Sequence, residues 1–490
     1  MNIELKKSAL IIVDGLGIAG DEPGNAASRR SMPYLHSLMD EYGFATLEAS
    51  GTAIGLDEGQ AGNSEVGHFT IGAGRILPTT LHRIRTAFGN GEWAGSPVWQ
   101  SMHDMKKIHI VGMLSEAGVH AHWSSIVQAA QIASDRGVEK IYLHLFLDGV
   151  DSPSNSAPAF LTALKRACLD INNVQLATIS GRKWAADRSG DMSISKHCVK
   201  GLFGELGHQE FSDTALQAHL DGGKSEAEFA FHCVDPDGVI QDGETVLLTQ
   251  HRVDRARQLA SALSSRTDLF ALVQLEDVVM TDKVFFPTRK LSQGLVHSLA
   301  EHGIEATRIA ESCKFPHVTF FMNGMRDDMH KNAIEIPSIP EDQISKQPKM
   351  CLDDLQARIE KLLAESTDQA LIVNLPNLDQ VGHTGNLVLA EQAAHYIDQT
   401  LCVLVARAHE RGWNLVITAD HGNADRMIDA NGKPVGSHSI NPVPLLVIDA
   451  NKKKRTLKNT TGTLANVAAT FLATLGLTAP SFMDESLIEM

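Results

Sequence analysis

Short apolar runs that close on a polar or turn residue recur along the chain. They are SALIIVDG at 8–15, KIHIVGMLS at 107–115, KIYLHLFLDG at 140–149, VQLATISG at 174–181, ALIVNLPNLD at 370–379 and NLVITADHG at 414–422. Each is the length of a strand, and its near-continuous apolar character predicts a strand buried on both faces. Between them lie amphipathic stretches such as HWSSIVQAAQIASDRG at 122–137, whose apolar residues fall at helical spacing. Alternating strands and helices predict an α/β fold with parallel sheets covered on both sides. In such sheets ligands gather beyond the carboxyl ends of the strands. That directs attention to Asp14, Asp148, Asp151, Ser180, Asp379 and Asp420. The Lys452–Arg455 run reads as a solvated turn.

Composition narrows the function classes. At 490 residues the chain is long enough for two or three domains, and its 43 basic against 59 acidic residues leave a formal charge of −16. That balance argues against nucleic acid or anionic membrane as a main partner. An anionic small molecule would need a local basic pocket. The six cysteines show no C-x-x-C pair, which fits a reducing cytosol rather than a disulfide framework. No stretch approaches the ~18 apolar residues of a membrane span, and the N-terminal run Ala9–Val13 is too short for a signal-peptide core. The expectation is a cytoplasmic protein.

Three segments carry metal-type ligands: Asp14 at the end of the first run, Asp379 and His383 in LDQVGHTG, and Asp420 and His421 in TADHGN, followed by His438 in GSHS. Carboxylate with imidazole suits Mn²⁺ or Zn²⁺. Singly, a strand-ending Asp is often a helix cap and a lone His a hydrogen-bonded core residue. Gathered at strand ends they would leave several charged groups unpaired without a cation. A fourth segment, GQAGNSEVGH at 59–68, places Ser64 in a glycine-rich turn. It reads either as a helix N-cap or as a hydroxyl presented to a phosphate at a helix N-terminus, and a metal could activate that hydroxyl. No G-x-S-x-G elbow surrounds it, which weighs against a serine hydrolase.

The runs VDGLG, GQAGNSEVGH, GAGR, GVHAH, FLDGVD, SGRKWAADR, RVDRARQ, HVTFFMNG, NLDQVGHTG, TADHGN and NPVP follow in order across nearly the whole chain. In this series the sequence resembles the cofactor-independent phosphoglycerate mutases of the alkaline phosphatase superfamily. The resemblance implies a two-domain α/β architecture. An alkaline-phosphatase-like, metal-binding parallel-sheet domain would span residues 1–78 plus 290–490, with an α/β transferase domain inserted at 79–289. It implies two divalent ions, manganese as a rule. Asp379, His383 and His438 would hold one; Asp14, Ser64, Asp420 and His421 would hold the other. Ser64 would be the phosphoryl-accepting nucleophile. His120, Asp151, Arg182, Arg188, Arg252, Arg255 and Lys314 match the family's substrate-side residues, with Asp151 and Lys314 also in catalytic roles. Guanidinium groups suit carboxylate and phosphate, and Asp151 or His120 could relay protons. The implied partner is a small anionic phosphorylated substrate, and a monomer is expected.

The chain departs from the family mainly on the substrate or hinge side. Val150 stands where the family has arginine, the loop after Arg188 reads Ser189-Gly190-Asp191-Met192 without the family's Arg-Trp, and Leu16 replaces a usual tryptophan. The expected reaction is conversion of 3-phosphoglycerate to 2-phosphoglycerate through a phosphoserine. The alternatives are a paralogue acting on another hydroxy-acid phosphoester or a phosphonate, a metal-dependent phosphatase, and a non-catalytic binding protein.

Overall fold

The computed structural model describes residues 5–102, 106–187, 191–207, 209–275, 278–328 and 332–489. Two compact units emerge: Met1–His82 with Arg289–Met490, and Arg83–Thr288. The first unit opens with strands β1 (Lys7–Val13) and β2 (Phe44–Glu48). The second unit holds β3 (Lys107–Leu114), β4 (Lys140–Leu147), β5 (Val174–Gly181), β6 (His232–Cys233), β7 (Thr245–Leu248), β8 (Asp268–Val273) and β9 (Val284–Phe286). The chain then returns to the first unit with β10 (Ala306–Glu311), β11 (Ala333–Ile336), β12 (Ala370–Leu375), β13 (Trp413–Thr418), β14 (Val443–Ile448) and β15 (Thr461–Thr463). All six apolar runs of the sequence are strands, and 124–135 is a helix.

Among the described residues, the first unit's sheet runs β11-β10-β12-β1-β13-β14-β2-β15. Strand β1 lies in parallel between β12 and β13, with Ile11 opposite both Val373 and Ile417. The helix Asn466–Leu475 packs on β1 and β13, and Leu387–Glu410 packs on β13. A central strand covered by helices has no wet face, so every residue from Ser8 to Val13 is buried. Each large aliphatic side chain buried there contributes about 1.5–3 kcal/mol.

Pairing in this sheet is mixed, where the apolar runs predict parallel neighbours. Strand β14 is antiparallel to both β13 and β2. Residues 419–442 join β13 to β14 without a helix, and antiparallel neighbours need no crossover helix. This loop carries Asp420, His421 and His438. In the second unit the sheet order is β6-β5-β4-β3-β7-β8-β9, parallel except where β6 meets β5. Of the Lys452–Arg455 run, the three lysines are exposed as their charge suggests, whereas Arg455 is half-buried and pairs with Asp449 at 2.8 Å. Among the described residues no helix is long and apolar enough to cross a membrane.

Candidate active site

In the first unit, three strand ends and one helix start converge. Asp14 follows β1, Asp379 sits in the short helix Asn377–Gly382 after β12, and Asp420 and His421 follow β13. The chain leaves β1 through Gly15 at φ +82°, where a Cβ would lie 2.7 Å from the Asp379 backbone nitrogen. A glycine is needed for both the turn and the close approach. The helix Ser64–Ala73 brings the nucleophile candidate. Its N-cap is Asn63, whose side chain accepts from Val66 N at 3.0 Å, so Ser64 is the first helical residue and not the cap. The capping is done next door, and the Ser64 hydroxyl stays available for chemistry. Gly67 lets this helix lie against Asp420, whose carbonyl oxygen would be 2.5 Å from an added Cβ.

Ser64 Oγ lies 3.0 Å from His421 Nε2 and 3.3 Å from Asp14 Oδ1, and it accepts from Lys314 Nζ. Lys314 also donates to Asp14 Oδ1 at 2.9 Å and to Asp379 Oδ2 at 2.7 Å. Asp379 Oδ1 is 3.2 Å from His383 Nε2 and 3.1 Å from His438 Nε2. All seven metal-type positions read from the sequence, together with Lys314, therefore fall in one cluster. Three groups within it have ligand atoms within 4.8 Å of one another: Asp379 with His383 and His438, Asp14 with Asp379 and His421, and Asp14 with His68 and Asp420.

The electrostatics are those of a cation site. Burial and the neighbouring Asp420 push the Asp14 carboxyl above its usual range. Burial also works against ionised Asp379, yet Lys314 and the hydrogen bonds from His383 and His438 outweigh it and hold the group well below that range. Its hydrogen bond to Asp379 raises His383. Three buried carboxylates face one lysine. Asp420 Oδ1 is buried without a partner, and Oδ2 has only His68 Nδ1 nearby, at 3.1 Å. A buried acceptor left open in this way, among imidazoles and carboxylates, fits a divalent ion as its partner.

In the second unit a different cluster forms beyond β3, β4 and β5. Asp148 accepts from Ser115 Oγ at 2.6 Å, from Ser152 N at 3.0 Å and Oγ at 2.9 Å, and from Asp151 N at 3.2 Å. Arg182 bridges Asp148 and Asp151 through Nη1, and its Nη2 donates to His120 Nε2 at 2.6 Å. Burial opposes the charge on Asp148, but the bonds from Ser115 and Arg182 hold it down at about 2. Burial, then Arg182 and Arg252, lower His120 to about 4. Arg252 and Arg255 both pair with Asp254, at 2.8 and 3.3 Å. Arg188 lies outside the described residues. Val150 is 64% exposed beside Asp151.

The sequence matches the Metalloenzyme superfamily over residues 6–479. It is 33% identical to the 2,3-bisphosphoglycerate-independent phosphoglycerate mutase of Symbiobacterium thermophilum, over 97% of this chain and 96% of the relative. With the enzyme of the same name from Saccharophagus degradans it shares 34% identity over 98% of each. The chain belongs to this mutase family. Among solved structures, the Leishmania mexicana phosphoglycerate mutase determined at low cobalt concentration superposes with a TM-score of 0.73 at 26% identity, covering 100% of this chain and 98% of that one. Membership of this family, with the clustered carboxylates and imidazoles, makes the chain a divalent-metal-dependent enzyme.

Asp148 is among the strand-end residues that the apolar runs point to, but its oxygens are filled by its own loop and Arg182. Two residues of the first cluster escape reasoning from single motifs. His68 lies four residues after Ser64, a helical spacing that could have marked it. Asn374 sits inside an apolar run, where a lone polar residue facing a site is the only signal.

Proposed function

We propose that the chain interconverts 3-phosphoglycerate and 2-phosphoglycerate, with Ser64 carrying the phosphoryl group in between. The observation that carries this reading is the convergence of the Ser64 hydroxyl with Asp14, His421 and Lys314 inside a buried carboxylate–imidazole cluster. Asp379, His383 and His438 would hold one divalent ion, and Asp14, Ser64, Asp420 and His421 a second. When bound, such ions neutralise phosphoryl charge and make a serine hydroxyl a stronger nucleophile at neutral pH. The imidazole content favours manganese over magnesium.

Ser64 Oγ attacks phosphorus and the ester oxygen of the glycerate leaves. The phosphoserine then returns the group to the other glycerate hydroxyl. Lys314, whose ammonium reaches the Ser64 oxygen, stabilises negative charge as it builds on the transferring group. In the second unit, Arg182, Arg252 and Arg255 hold the acid, joined by Arg188. Asp151 and His120 move the hydroxyl proton. We place the reaction in the cytoplasm, in a monomer.

The test is incubation of purified, manganese-loaded enzyme with 3-phosphoglycerate, with 2-phosphoglycerate and free phosphate both measured. Isomer without free phosphate supports the mutase. Free phosphate alone would replace it with a phosphatase. One observation favours a second reading: Val150 gives this edge of the Arg182 cluster an exposed apolar side chain in place of a cation. A substrate such as another hydroxy-acid phosphoester or a phosphonate, lacking the anionic group an arginine would grip, fits that edge. A panel of such compounds beside 3-phosphoglycerate separates the two by kcat/KM.

A further inference from the structure

His68 and Asn374 are fully buried polar side chains of the first unit's cluster that have no part in the reaction as derived. The Asn374 amide reaches two ways, donating to Asp14 Oδ2 at 2.8 Å and to His68 Nε2 at 3.1 Å. Since His68 Nε2 accepts, the ring hydrogen sits on Nδ1, from where it is directed to the Ser64 carbonyl oxygen at 2.9 Å. Asp420 Oδ2 lies 3.1 Å from the same nitrogen. The ring is walled by His317, with centroids 5.4 Å apart.

The chain of contacts thus runs from Asp14 through Asn374 and His68 to Asp420 and the first turn of the Ser64 helix. Two buried carboxylates this close repel each other. Without directional partners they would swing apart or share a proton. Two apolar residues could fill the same space at no desolvation cost, but they would fix no orientation.

We infer that His68 and Asn374 are positioning residues that hold Asp14, Asp420 and the backbone of Ser64 in the arrangement a divalent ion needs. The inference rests on the metal-and-serine reading above. Outer partners of this kind typically change metal affinity or activity 10- to 100-fold when removed.

The test is calorimetric titration of metal-free protein with Mn²⁺, together with kcat and KM on 3-phosphoglycerate. His68→Phe keeps an aromatic ring but removes both hydrogen bonds. His68→Asn retains a donor near the position of Nδ1. In His68→Phe, Mn²⁺ affinity and kcat should each fall 10- to 100-fold, with KM within about twofold of wild type. His68→Asn should recover part of both. Asn374→Ser serves as a second, smaller lesion should the phenylalanine variant not fold, and it should lower Mn²⁺ affinity in the same direction. Wild-type Mn²⁺ affinity in a folded variant would overturn the inference, as would a fall in thermal stability with no change in affinity. Native protein that binds Mn²⁺ but is inert on 3-phosphoglycerate would instead overturn the mutase reading. The positioning role would then still be judged by the affinities.

Discussion

Asp420 in the first unit and Asp148 in the second are both buried aspartates at the carboxyl end of a strand, yet their surroundings are opposite. Asp148 is filled by its own loop and by Arg182, with Ser115, Asp151 and Ser152 all donating to it. Asp420 has no partner on Oδ1 and only His68 Nδ1, at 3.1 Å, near Oδ2, and it shares its site with Asp14, Asp379 and a single lysine. A strand-ending carboxylate that protein donors complete is architecture, whereas one they leave open is suited to a cation. The first cluster is short of positive charge and suited to cations. The second is balanced, with Arg182, Arg252 and Arg255 set against Asp148, Asp151 and Asp254.

The sharpest break between the two clusters is at the nucleophile. Ser64→Ala should lower phosphoryl transfer on the order of 10⁴-fold or more while leaving the fold intact, because Asn63 provides the cap. Mass spectrometry of quenched wild-type enzyme should place phosphate on the peptide containing Ser64. Transfer that survives in the alanine variant would remove the serine from the mechanism.

The two aspartates should then fail in different ways. Asp420→Asn should remove the Mn²⁺ equivalent held with Asp14 and leave the one held by Asp379, His383 and His438. It should also lower the stability of metal-free protein, since the carboxylate, despite its burial, is held ionised by His421, His68 and Lys314. Asp148→Asn should leave Mn²⁺ affinity unchanged but cost about 3 kcal/mol of stability by weakening a buried ion pair. Calorimetric titration and denaturant melts read both. Similar behaviour in the two variants would dissolve the contrast. Chelation of the wild type should remove both Mn²⁺ equivalents and abolish turnover, and added Mn²⁺ should restore it.

A smaller effect is expected at the edge of the second cluster. Val150→Arg should raise kcat/KM on 3-phosphoglycerate roughly 10- to 100-fold, the worth of one charge-assisted hydrogen bond at about 1.5–3 kcal/mol. If the native chain is already fast and the arginine slows it, the acid is gripped by other residues.

The smallest is a pH effect confined to the second unit. His120 is held at about 4 against an ordinary 6.5, first by burial and then by Arg182. Between these values the unfolded chain binds the proton and the folded one does not. Stability therefore rises with pH from 4 to 6.5 and levels off above. From pH 6.5 to 5.5 the loss attributable to this residue is roughly 1 kcal/mol. Thermal melts of His120→Asn should show a shallower fall than wild type over that interval, and parallel curves would remove His120 from the account.

Much was legible in the sequence because it is local. The six apolar runs are strands since a continuous apolar stretch of that length has few other ways to bury both faces. Their terminal residues Asp14, Asp379 and Asp420 fall at a site because a parallel sheet places its carboxyl ends together. The glycine-rich segment around Ser64 opens a helix, but Asn63 caps it. Cap and first turn differ by one residue, and a pattern of Ser, Asn and Gly does not resolve that step.

Tertiary structure alone decided what each buried polar group meets. The antiparallel return of β14 follows from a helix-free loop, and that loop carries His438 to Asp379 from 59 residues away in the chain. Whether an aspartate's oxygens are filled depends on side chains distant in sequence, as with Arg182 on Asp148. The His68–Asn374 contact spans 306 residues, and no local pattern encodes it. Sequence periodicity reports which faces are apolar, because burial is non-directional and sums over neighbours. A hydrogen bond needs two particular atoms within about 3 Å at the right angle, and only the folded chain brings them there.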